Sequence, residues 1–173
     1  LGRGREPARG FHEPSLIAAL LNHPELVHRV FEELTELRLN SHELDKIRTE
    51  IIKSAVSGAP LDPDGLKTNF SNARMVGLIE ELTGPGIAKL EPFARPDASM
   101  ATALEGWTSV FMLHRLPDLH RELAEAEAQL AAEMTDENFA RLQSAQAALE
   151  EARNRAAGTT ASTGEAGPQL TRR

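Results

Sequence analysis

Leu116-Pro-Asp-Leu-His-Arg-Glu-Leu-Ala-Glu-Ala-Glu-Ala-Gln-Leu130, followed after four residues by Thr135-Asp-Glu-Asn-Phe-Ala-Arg-Leu-Gln-Ser-Ala-Gln-Ala-Ala-Leu149, has the pattern of two paired helices. Leu116, Leu119, Leu123, Ala126 and Leu130 alternate spacings of three and four, as do Leu142, Ala145, Leu149, Ala152 and Ala156. That alternation keeps one apolar stripe on each helix turned toward its mate. A turn at Glu133-Met134 leads to Thr135 as an N-cap, with Asp136 and Glu137 behind it where acidic groups suit the helix dipole. Two such helices joined by a short turn form an antiparallel hairpin, and an all-α fold is predicted.

Working toward the N-terminus, helical pattern extends from Ala132 back to about Met100 with Pro117 inside it. A proline there lacks the amide proton its turn needs, which predicts a kink or a short break. Trp107 shares a face with Leu104, Val110 and Phe111 and reads as core, with His114 packed on the same face. Further upstream, Pro14 suits the first turn of a helix carrying Leu16, Ile17, Leu20 and Leu21. Asn22-His23-Pro24 breaks the pattern, and a second helix carries Leu26, Val27, Val30, Phe31 and Leu34. Asn40 and Glu43 read as a capping box for a third helix with Leu44, Ile47, Ile51, Ile52 and Ala55 on one face and Gly58 as its stop. Asp62-Pro63 starts a short helix through Leu66 and Phe70. Met75, Leu78, Ile79 and Leu82 form another, ended by Gly84-Pro85-Gly86, and an irregular stretch follows from Phe93 to Ser99. The expected organisation is a flexible linker over residues 1–12, a helical bundle over 13–115, the hairpin over 116–156 and a disordered tail over 157–173.

Composition narrows the function. Within 173 residues there is no cysteine, so thiolate zinc sites, disulfides and cysteine nucleophiles are excluded. No apolar run approaches the roughly eighteen residues of a membrane span, and no signal-peptide pattern opens the chain, which predicts a cytoplasmic protein. A formal net charge of −7 argues against direct nucleic-acid binding, which needs clustered Lys and Arg. The six histidines lack the i, i+4 spacing of a helical metal pair. No phosphate loop, nucleophile-base arrangement or paired carboxylates stand out, so no catalytic, cofactor-binding or metal-binding residue is assigned, and the chain is not expected to be an enzyme by itself. Much of the acidity lies in the hairpin: from Asp118 to Arg153 there are nine acidic residues against three arginines. Met134 and Phe139 fall off the paired stripes near the tip, where only another body could cover them. Those features point to a module that binds a protein.

Several phrases, taken in order, carry a resemblance. They are Leu20-Leu-Asn-His-Pro-Glu-Leu26, Phe93-Ala-Arg-Pro-Asp-Ala98, Glu105-Gly-Trp107, Leu113-His-Arg115, Glu122-Leu-Ala-Glu-Ala-Glu127 and Thr135-Asp-Glu-Asn-Phe-Ala-Arg-Leu142. Over roughly residues 14–153 the chain resembles the C-terminal helicase-binding domain of bacterial DNA primase. The resemblance implies an N-terminal helical bundle, a long connecting helix and a terminal helical hairpin. It implies docking onto the N-terminal domains of the hexameric replicative DNA helicase, coupling primer synthesis to fork unwinding, with the hairpin as main contact and the bundle modulating the helicase. In that family the polymerase chemistry lies upstream, in a zinc-binding domain and a magnesium-dependent catalytic domain, so no cofactor is expected here and residues 1–12 would be the linker from that region. Combined with exposure at the tip, it makes Arg121, Leu130, Glu133, Met134, Thr135, Asp136, Glu137, Phe139, Arg141 and Leu142 the expected partner-binding residues. A different all-helical adaptor or signalling domain would share the same patterns and differ in its partner.

Overall fold

The computed structural model describes residues 12–86 and 91–162, with side chains as far as 157. The fold is all-α, and no strand occurs among the described residues. In chain order the elements are α1 (Glu13–Asn22), α2 (Pro24–Arg29), α3 (Phe31–Glu36), α4 (His42–Ser57), α5 (Pro63–Thr68), α6 (Ala73–Thr83), a 3-10 turn (Pro92–Ala94), α7 (Met100–Ala132) and α8 (Asp136–Ser162). They divide into two compact units, Leu1–His114 and Arg115–Arg173, with α7 contributing to both.

The first unit is built around α1. Its run from Leu16 to Leu21 is buried on every side, the pattern of a helix enclosed by others rather than lying on a surface. It packs against α2, α4, α6 and the 3-10 turn. The N-terminal half of α7 adds Ala103, Trp107, Val110 and Phe111 to the same core. The Trp107 indole N–H donates to the Leu16 carbonyl at 3.1 Å, and its ring stacks on Phe111 with centroids 5.2 Å apart. His114 is buried as its position predicts, with Nε2 donating to the Arg38 carbonyl at 2.6 Å. Two of the phrases noted above meet here: Asn22 Nδ2 donates to the Ala94 carbonyl at 2.8 Å, and His23 Nε2 to that of Arg95 at 2.7 Å. Gly106 explains part of a third. A Cβ built there would lie 2.3 Å from Cβ of Phe93, so only glycine lets the 3-10 turn seat its phenyl ring against α7.

Some expectations are corrected. The second predicted helix is two, because the backbone leaves helical geometry at Val30 (φ −117°, ψ 23°). One straight rod presents one stripe; the break leaves Phe31 half-buried while Leu26, Val27, Val30, Leu34 and Leu37 all reach the core. The cap of α4 is Ser41, whose Oγ accepts from the Leu44 N–H at 3.3 Å, and not Asn40. Asn40 is engaged elsewhere: its backbone N–H and its Nδ2 both donate to Oε1 of buried Glu13 at 2.7 Å, and the Ser41 N–H donates to Oε2 at 3.1 Å. At the far end of α4, Gly58 takes the left-handed conformation (φ 71°) that closes a helix, as read from sequence. Of the kink or short break expected at Pro117, the break does not occur: the proline lies inside one continuous helix of 33 residues. Finally, α8 runs past Ala156 to Ser162, taking in Gly158. Once nucleated, a helix gains a bond per added residue, and one glycine costs only about 1 kcal/mol. The tail predicted over 157–173 is therefore helical as far as 162. Residues 163–173, and all but His12 of the predicted linker, lie outside the described residues.

Glu43, in the first turn of α4, is held below the usual carboxylate range by a hydrogen bond from its own backbone N–H and then by the charge of Arg74, whose Nη2 lies 2.8 Å from Oε1. A carboxyl whose value is lowered on folding stabilises the fold above its unfolded value of 4.5, and that contribution fades as pH falls through the lower folded value. The stability difference between the native chain and Glu43→Gln should accordingly be present at neutral pH and shrink steadily below pH 4.5, measured by urea unfolding across that range. A difference that stays constant with pH would mean that the ionised carboxylate contributes nothing.

Candidate protein interface

In the second unit the C-terminal half of α7 and α8 run antiparallel and bury small and medium side chains between them: Leu119, Ala126, Leu149, Ala152 and Ala156. These belong to the stripes read from the sequence. Alanine at so many seam positions brings the backbones close but removes little apolar area from water per residue. Polar ties cross the seam as well. Arg141 Nη1 donates to Gln129 Oε1 at 2.5 Å. Nearer the other end, Arg153 Nη2 donates to His120 Nε2 at 2.9 Å, while His120 Nδ1 donates to the Leu116 carbonyl at 2.7 Å.

The tip is a three-residue connection held by its own hydrogen bonds. Thr135 Oγ1 accepts from the Asn138 N–H at 3.2 Å, the capping role its sequence position predicts. Asn138 then reaches back, its Nδ2 donating to the Glu133 carbonyl at 2.8 Å and lying 3.4 Å from that of Gln129. The same two carbonyls also accept backbone N–H groups, Glu133 from Thr135 at 3.0 Å and Gln129 from Glu133 at 2.9 Å. Asn138 therefore fastens the end of one helix to the start of the next. Replacing Asn138 with Ala should cost about 1 kcal/mol of stability and speed amide exchange at Thr135 and Phe139. Unchanged exchange would mean that Thr135 alone sets the turn.

What this rigid tip presents is apolar. Met134 is 88% exposed and Phe139 52%, the large apolar side chains left open among the described residues of this unit. Around them Glu133, Asp136, Glu137 and Arg141 are exposed, while Thr135, Leu130 and Leu142 are half-buried. The structure thus groups nine of the ten sequence-predicted residues at one end of the hairpin. Arg121 stands apart. It lies twelve residues before Glu133, about 18 Å along the helix axis, and pairs with Asp118 at 2.8 Å.

Two residues that the sequence reading passed over complete the site. Asn138 carried a signal, a short amide three residues after a Thr cap; Gln129 carried none, because its role depends on facing Arg141 twelve residues later. Below the tip, between the helices, the alanines at 126, 145 and 148 leave a hollow of about 610 Å3, edged by Glu122, Glu125, Gln129, Arg141 and Ser144. Exposed apolar anchors at a fixed tip above an acidic flank suit protein recognition by desolvation at the centre and charge at the rim. Among the described residues there is no cluster of three His, Cys, Asp or Glu side chains able to hold a metal ion, and no helix long and apolar enough to cross a membrane. Comparison with protein families, with curated proteins and with solved structures returns no match.

Proposed function

We propose that this chain is the helicase-interaction domain of a bacterial DNA primase and docks through its hairpin onto the N-terminal domains of the hexameric replicative DNA helicase. Apart from Arg121, the residues named for partner binding do so at the tip, where Met134 and Phe139 are the apolar anchors and Glu133, Asp136, Glu137 and Arg141 are the rim. The observation that carries this reading is the exposure of Met134 and Phe139 on a turn fixed by Thr135, Asn138 and the Arg141–Gln129 contact. Two large apolar side chains held open in water cost solubility, and a partner surface is the usual return for that cost. The order of phrases shared with the primase family supplies the identity of the partner. Primer synthesis would be carried out by the zinc-binding and magnesium-dependent catalytic domains of the complete primase, while this part of the chain places them at the fork in a cytoplasmic primosome.

Calorimetric titration of the full chain into the N-terminal domain of the helicase from the same organism tests this. Saturable binding is expected, weakened at least tenfold in the Met134→Ala, Phe139→Ala double variant, because each hot-spot truncation costs on the order of 1–2 kcal/mol. Both side chains are exposed, so the circular dichroism of the variant should match that of the native chain. Absence of binding by the native chain removes the helicase as partner; binding that the double variant retains in full moves the interface off the tip.

A further inference from the structure

The first unit has a cleft of about 740 Å3 that the hairpin reading does not use. Its floor is Leu44, Leu78 and Leu82 with Pro14 beside them, and its rim carries Glu43, Arg74 and Glu81, with Glu13 at the base. A volume of this order, roughly 300–1,000 Å3, is what small-molecule and peptide side-chain sites occupy.

Packing does not require one residue of its wall to be glycine. Gly77 is exposed inside α6, where glycine is among the poorest helix formers. Unlike Gly106, whose Cβ would collide with Phe93, a Cβ at Gly77 would meet nothing within 4 Å. What Gly77 supplies is bare backbone on the wall of the cleft, and bare backbone serves an occupant whose own backbone comes close. The charges indicate its chemistry. Three carboxylates stand against one guanidinium, and Arg74 is already paired with Glu43 at 2.8 Å. A cation near Glu81 complements that balance, and an anion does not.

We propose that this cleft binds a short basic segment of a protein partner, with an apolar side chain on the floor formed by Leu44, Leu78 and Leu82, its backbone against Gly77 and a Lys or Arg facing Glu81. The probes are acetyl-Ala-Leu-Ala-Ala-Lys-Lys-Ala-amide and the same peptide with Glu in place of both Lys, titrated into the 15N-labelled full chain. The Lys peptide should shift the amides of Leu44, Gly77, Leu78 and Glu81 saturably, and the Glu peptide should bind at least tenfold more weakly. Gly77→Ala should raise the melting temperature by a few degrees through helix propensity and weaken the Lys peptide at least tenfold. Glu81→Lys should abolish the preference between peptides. A stabilised Gly77→Ala variant that binds as well as the native chain overturns the proposal, as does equal or tighter binding of the Glu peptide. Cleft amides that move on dilution without peptide would assign the cleft to a second copy. If they move instead when Arg3, Arg5 and Arg9 are replaced together, the cleft belongs to the chain's own N-terminal segment. Either result also overturns the proposal.

Discussion

Replacing Trp107 with alanine should remove about 3–5 kcal/mol of stability from the first unit, the range for deleting a large aromatic side chain from a packed interior. Trp107 is fully buried, and three contributions disappear with it. The largest is transfer of the indole out of water together with the cavity left behind. The second is the stacked contact with Phe111, at an interplanar angle of 12°, worth roughly 0.5–1.5 kcal/mol for such a pair. The third is the hydrogen bond to the Leu16 carbonyl, which ties α7 to the central helix. Leu16 lies inside α1, so its carbonyl keeps its own helical donor and is not orphaned. Trp107→Phe should therefore recover most of the loss, leaving a deficit of about 1–2 kcal/mol for the missing bond and volume. Urea unfolding followed by far-ultraviolet circular dichroism measures both variants. With small domains holding only about 5–15 kcal/mol in total, Trp107→Ala should lie close to the limit of folding at body temperature. If alanine costs less than 1 kcal/mol, α1 and α7 are not joined as described.

The hairpin was legible from the sequence because its signals are local. Seam positions repeat every three or four residues, and Thr135 caps the helix beginning one residue later, so both stripes and the turn can be read within a window of a few turns. Trp107, Phe111 and Gly58 were legible for the same reason. What could not be read depends on residues far apart in sequence. Nothing near Val30 marks the bend between α2 and α3, which lets α2 pack on α1 while α3 packs on α4. Asn40 has the composition of a cap, yet a carboxylate 27 residues earlier takes both of its donors and leaves the capping to Ser41. Gly106 has no local signal that explains it, because its reason is Phe93, thirteen residues earlier. The tip shows the same division: Met134, Thr135 and Phe139 came from local pattern, whereas the role of Gln129 required knowing which helix it faces. Arg121 was included as a charge flanking the tip, and helix rise places it about 18 Å along the axis from Glu133.

Glu13→Ala should be comparably damaging, about 3–4 kcal/mol, for an electrostatic reason instead of a packing one. Glu13 is 2% exposed, and its carboxylate accepts from three N–H groups across a separation of 27 and 28 residues. Hydrogen bonds to a charged acceptor are stronger than neutral ones, and removing buried Glu13 breaks three of them at once, leaving exposed Asn40 and half-buried Ser41 to water. Glu13→Gln separates shape from charge. Its carbonyl oxygen can still serve Asn40, but its amide nitrogen then stands where Oε2 met the Ser41 N–H, donor against donor, so about 2–3 kcal/mol should still be lost. Asn40→Ala removes only the Nδ2 bond and should cost about 1 kcal/mol. The sole tryptophan lies in this unit, so its fluorescence during urea unfolding reports these losses without contribution from the hairpin. A cycle combining Glu13→Gln with Asn40→Ala should be non-additive, since both act on one acceptor. Additivity, or a Glu13→Gln cost under 0.5 kcal/mol, would mean that the α3–α4 connection is held by its own cap at Ser41 rather than by α1. The same clasp sets one wall of the cleft, because Glu13, Asn40 and Ser41 all line it. Loss of Glu13 should thus disturb the amides of Leu44 and Gly77 while leaving those of Thr135 and Phe139, on the other unit, where they are.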